Sequence, residues 1–128
     1  MALYVNNDDQ SIRIKPVFTV GAEAGNAINV SVQLIDRENG TPLTERVGVQ
    51  WYLAADVNGD TIATAPSSGI AIGTNGLLIE HTNNIAGLAI TEATGIFDVT
   101  LSEISAKSFY LIIVAPDGKL YSQTVTFA

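Results

Sequence analysis

The chain has 128 residues, enough for one domain that buries a core without covalent staples. It contains no cysteine, which excludes disulfides and thiolate metal sites, and its net charge of −7 speaks against a nucleic-acid partner. No stretch approaches the roughly 18 apolar residues of a membrane helix, so no membrane partner is expected.

Residues 1–20 read as an extended arm. Leu3 and Val5 alternate with polar neighbours, and Asn6 to Asp9 form a turn signal. The first nine residues lack a basic stretch followed by an apolar one, so no secretory signal is read there, and a protein used without that export route is expected. Ile12 and Ile14 alternate with Ser11, Arg13 and Lys15, while Pro16 argues against a central strand. Residues 11–20 are therefore either part of the arm or the first edge strand of the domain, which runs over residues 21–128.

Ala27–Asp36 is the clearest strand, with Ile28, Val30, Val32 and Leu34 on one side and Asn29, Ser31 and Gln33 on the other. After an Asn39-Gly40 turn comes Arg46–Leu53, where Val47, Val49, Trp51 and Leu53 share a face. Trp51, the single tryptophan, is expected at the centre of the core. Tyr52 points the opposite way and is a candidate exposed contact. Residues 54–68 read as loop, with a short edge strand over Thr61 to Thr64.

Ile70–Ile72 and Leu77–Ile79 flank Gly73 to Gly76 and predict a tight hairpin. A turn over Thr82 to Gly87, a short strand at Leu88–Ile90 and a turn over Thr91 to Gly95 follow. Phe97, Val99 and Leu101 alternate with Asp98 and Thr100. Glu103 to Ser108 read as a crossover loop with room for one helical turn. Phe109–Ala115 is apolar enough for a central strand buried on both faces, and Tyr110 sits where a tyrosine corner is expected. Pro116 to Lys119 make a hairpin turn into a last strand carrying Tyr121, Val125 and Phe127. The sum is eight to ten short strands with frequent turns, which points to an all-β sandwich or barrel.

The segments Ala27–Asp36, Asn39-Gly40 and Val49 to Trp51, then Thr94 to Leu101, Phe109-Tyr110 and Val125 to Phe127, resemble a bacterial immunoglobulin-like domain. Ala65 to Ile79 and Phe109 to Gly118 are similar to small structural-module proteins of tailed phages, head decoration proteins among them. The resemblance covers residues 27–128 and implies an immunoglobulin-like β-sandwich; the arm before residue 21 lies outside it, so the fold expected is an all-β immunoglobulin-like β-sandwich with an extended N-terminal arm. Its motifs are turns and core strands, which speak to fold more than to function. The function it implies is that of a phage virion structural protein, a decoration or cement protein on the head, assembled in the host cytoplasm. A tail-fibre or adhesin-type module contacting host glycans is the alternative.

Chemistry-bearing residues are sparse. Asp56 to Asp60 space three oxygen side chains as calcium loops do, yet the glycine stands fourth and no bidentate Glu closes the loop, so a solvated turn is expected. His81 is the only histidine, and no serine stands in a nucleophile elbow. Glu92, Asp98 and Glu103 read as solubilising surface charge. The expectation is a non-enzyme without metal or cofactor. Its partner is expected to be a capsid or other virion protein, with self-association into a homo-oligomer left open. The contact residues expected are Leu3, Val5, Arg13, Lys15 and Tyr52, the two basic ones suited to acidic groups on a neighbour.

Overall fold

A computed structural model of the chain describes residues 13–128. Among these residues nine strands form: β1 (Ile14–Val20), β2 (Ala27–Asp36), β3 (Gly48–Ala54), β4 (Ile70–Ile72), β5 (Leu77–Thr82), β6 (Ala86–Ile90), β7 (Ile96–Ser102), β8 (Lys107–Val114) and β9 (Leu120–Phe127). Among the described residues there is no helix, so residues 103–106 are an irregular bend without the helical turn the sequence left room for. One sheet has the order β1-β2-β7-β4 and the other β5-β6-β3-β8-β9, with every pairing antiparallel.

The two sheets pack as a sandwich consistent with the immunoglobulin-like architecture. The strands β1, β2, β7 and β4 take the A, B, E and D places of that fold, and β3, β8 and β9 take C, F and G. In chain order, however, the D-place strand comes before the pair β5 and β6 that extends the other sheet beyond β3.

Alternation builds the core. Along β2, Ile28, Val30, Val32 and Leu34 are all buried and their neighbours are half-covered. Across the gap, β3 offers Val49, Trp51 and Leu53, and β8 offers Phe109, Leu111 and Ile113. Phe109 and Phe127 meet edge to face with centroids 6.0 Å apart. Trp51 is 1% exposed and lies between Gly87 on β6 and Ile113 on β8. Gly87 has no room for a side chain, because the β5 backbone at Ile79 and Glu80 passes against it. Among the described residues the Trp51 indole Nε1 finds no hydrogen-bond partner, so the ring acts there through its area and shape.

Of the two readings of residues 11–20, the structure forms a strand from Ile14 onward. β1 pairs with β2 over its whole length, Ile14 is 3% exposed, and Phe18 packs on the core. Pro16 is tolerated because β1 is an edge strand among the described residues, where a missing donor breaks no ladder bond to β2.

The hairpin expected at residues 70–79 is not formed. Ile70–Ile72 pairs with β7 in one sheet, and Leu77–Thr82 pairs with β6 in the other, so residues 73–76 cross between sheets. The partner of β5 is β6, through the turn at residues 83–85. The edge strand expected at Thr61 to Thr64 reduces to one bridge between Ala54 and Ile62. Tyr110 lies within the sheet, between Ala54 and Thr124, and not at a corner.

Replacing Trp51 by Ala removes the largest buried side chain and leaves a cavity between the sheets. We expect a loss of about 3–5 kcal/mol in urea unfolding, a large share of the ~5–15 kcal/mol typical of a domain. A midpoint unchanged by the substitution would show that the indole is not the centre of the core.

Candidate functional site

The acidic residues of β7 and its flanks are loop anchors. Asp98 faces outward on β7 but is only 6% exposed, because its carboxylate accepts the Thr74 and Asn75 backbone N–H groups and Asn29 Nδ2 at 2.8 Å. Burial pushes its pKa up, but these hydrogen bonds outweigh that and hold it below the usual carboxylate range. Glu103 accepts Ser105 Oγ at 2.6 Å, the Ser67 N–H at 2.9 Å and the Ser105 N–H. The Ser105 hydroxyl, then the Ser67 amide, hold its carboxyl down at about 2. Glu92 accepts the Gly76 N–H at 2.8 Å and meets Arg46 at 3.3 Å. The expectation of solubilising charge thus fails for Asp98 and Glu103, whose lone pairs are committed to backbone donors.

Tyr52, expected as an exposed contact, is half-buried. Its hydroxyl donates to the Gly59 carbonyl at 2.7 Å, and the loop over residues 55–61 folds down onto it and onto Ile112. Burial, then the nearby Asp56 and Asp60, push the phenol pKa up. Asp56 spends its carboxylate on the Asp60 and Thr61 N–H groups of the same loop. Among the described residues no group of three or more His, Cys, Asp and Glu could hold a metal. His81 is exposed beside Thr82.

Arg13 and Lys15 are placed on one flank of the molecule. Arg13 pairs with Glu38 at 2.8 Å, and its carbonyl accepts the Arg37 N–H. Lys15 and Val17 project outward from β1, Val17 being 45% exposed. Arg37 in turn pairs with Asp117 at 2.7 Å, tying this flank to the β8–β9 turn. Leu3 and Val5 lie outside the described residues.

A surface that the sequence reading passed over lies on the outer face of the five-stranded sheet. Cross-strand register sets Ile79, Leu88, Gln50, Val114 and Leu120 in one row across all five strands. Leu77, Ile90 and Gly48 form the next row. Leu77 is 53%, Ile79 50% and Leu120 46% exposed. Between these ridges Gly48, Gln50, Leu88, Val114, Ala115, Pro116 and Gly118 line an open groove of about 390 Å³. None of the residues in these rows or lining the groove is charged. The signal in the sequence was the run Leu77-Leu78-Ile79: adjacent strand residues face opposite ways, so the run had to put apolar side chains outside.

The anchors predict an acid limit. A carboxylate with a depressed folded pKa stabilises fully above its unfolded value, near 4.5 for Glu103, and loses that contribution as pH falls towards about 2. Asp98 and Asp117 are shifted in the same direction. Urea midpoints measured from neutral pH downward should fall below pH 4.5, and E103Q should show a shallower fall. The Asp56 loop predicts the reverse kind of result: its oxygens already have donors, so added calcium should leave the melting temperature unchanged. A calcium-dependent rise abolished by D56A would show a real site.

No family model matches this chain, and no curated protein matches it.

Proposed function

We propose that this chain is a phage virion structural protein, a decoration or cement protein attached in many copies to the head. The fold supports a non-enzymatic scaffold: its buried acids are spent on loop amides and are not gathered around a cleft. The observation that carries the reading is β1. Among the described residues it is an edge strand that pairs with β2 alone, and it follows in sequence the segment that carries Leu3 and Val5. An open edge accepts a strand from another chain, with backbone hydrogen bonds for affinity and side-chain pockets for specificity. Lys15 and Val17 project from that strand, and Arg13 stands at its start. A glycan-binding module would call on exposed aromatics, and Tyr52 is already engaged by Gly59.

Purified particles test the reading. On the order of hundreds of copies per head, matching the symmetric lattice, are expected. Presence in tails alone would overturn it in favour of the fibre-type module. Deleting residues 1–10 should leave the far-ultraviolet dichroism unchanged and weaken attachment to heads. Equal attachment by the shortened chain would move the docking role to another surface, first of all the loops at residues 54–68.

A further inference from the structure

We propose that the groove on the outer face of the five-stranded sheet is the seat of this chain's own residues 1–5, which fold back onto it from the start of β1. The inference concerns the free protein and does not rest on the virion reading. If residues 1–10 also contact a head, they leave the groove to do so.

The first observation is where the described chain begins. The Arg13 carbonyl accepts the Arg37 N–H at 2.7 Å, and the Arg37 guanidinium reaches Asp117 at 2.7 Å. Asp117 stands between Pro116 and Gly118, two of the residues that line the groove. The length of one arginine therefore separates the point where residues 1–12 join the described chain from the mouth of the groove.

The second is length. Residues 6–12 form a tether of seven residues, and an extended chain covers about 3.3 Å per residue, so the tether reaches about 23 Å. That is enough to pass over the β8–β9 turn. On the far side, the row from Leu120 through Val114 and Gln50 to Leu88 crosses three strand spacings of about 4.8 Å, or about 14 Å. Five extended residues span about 17 Å and cover that row.

The third is chemistry. Met1, Ala2, Leu3, Tyr4 and Val5 are an uncharged, apolar run, and the lining of the groove is uncharged as well. The tether is polar from Asn6 to Ser11 and carries Asp8 and Asp9. The flank it crosses is basic. Arg13, Lys15, Arg37 and Lys119 are four of the six Lys and Arg in a protein of net charge −7, and Arg37 and the Lys119 backbone both meet Asp117. Apolar residues thus fall on apolar rows, and the acids of the tether fall beside cations.

Covalent attachment selects this occupant over a second copy. A short tether holds its segment at an effective concentration on the order of millimolar, so a contact too weak to join two molecules at micromolar concentration still closes within one.

The chain has no cysteine, so a single introduced thiol can carry a spin label. With the label on N6C, which leaves residues 1–5 intact, the amide resonances of Gly48, Gln50, Leu88 and Val114 should lose intensity. Those of Ser31 and Thr100, on the outer face of the other sheet, should keep it. L3D in the segment, or Q50D in the exposed wall of the groove, should each restore the lost intensity. Far-ultraviolet dichroism of both variants should stay at the wild-type value and reports any loss of fold separately. When labelled chains are mixed with unlabelled, isotopically enriched chains, the groove resonances of the latter should stay sharp. Loss of intensity in that mixture would make a neighbouring copy's segment the occupant and overturn the proposal. Loss confined to β1 and its surroundings overturns it, and so does loss at the groove that neither L3D nor Q50D relieves.

Discussion

The carboxylate of Asp98 holds the passage from one sheet to the other. By accepting the Thr74 and Asn75 N–H groups it fixes the chain as it leaves β4, and Gly73 must lack a side chain because the Asp98 carboxylate fills that space. Gly76, at φ 87°, then turns against the Ile90 carbonyl and Phe97, with its N–H held by Glu92. Only this turn delivers Leu77–Thr82 to the outer edge of the second sheet. Without it the β6 edge would be open and the apolar outer face would lose Leu77 and Ile79. One buried acid therefore decides both the topology and the extent of the surface.

This device explains what could and could not be read from the residues alone. Ala27–Asp36 and the Trp51 strand were legible because their alternation is local and unbroken. The β8–β9 hairpin was legible through Pro116 to Gly118, whose turn chemistry is local too. The segment 70–79 was not. Two short apolar runs around Gly73 to Gly76 look the same as a hairpin or as a crossing, and the deciding donor set reaches Asp98, more than 20 residues further on. Asp98 itself alternates with Phe97 and Val99 as a solvent-facing acid should; its burial comes from the loop laid over it and from Asn29 on the neighbouring strand. Tyr52 was likewise placed on the correct face, but its partner, the Gly59 carbonyl, belongs to a loop whose path no periodicity specifies.

The two outer faces of the sandwich differ in a way that follows from these anchors. On the four-stranded sheet, outward Asn29, Ser31, Gln33, Asp98 and Thr100 form a polar surface with its own hydrogen bonds, Asn29 reaching both Asp98 and Thr100. On the five-stranded sheet the lower part of the outer face is roofed by the 55–61 loop over Tyr52 and Ile112, which leaves Ile112 fully buried outside the main core. Its upper part keeps the uncharged rows around Gln50 open. Scattered exposed aliphatics are ordinary on any protein, but cross-strand rows that merge into one patch are not.

The flank at Arg13 joins the two kinds of surface. Arg37 gives its backbone N–H to the Arg13 carbonyl and its guanidinium to Asp117, so the start of β1 and the β8–β9 turn are held together although they belong to different sheets. The Lys119 amide, then Arg37, hold the Asp117 carboxyl below its ordinary pKa, while an exposed ion pair by itself stabilises a fold only slightly. The consequence is positional. The β1 edge on one side and Leu120 with Pro116 and Gly118 on the other keep a fixed relation to each other, so that a partner seated on the β1 edge would have a defined orientation relative to the apolar rows around Gln50.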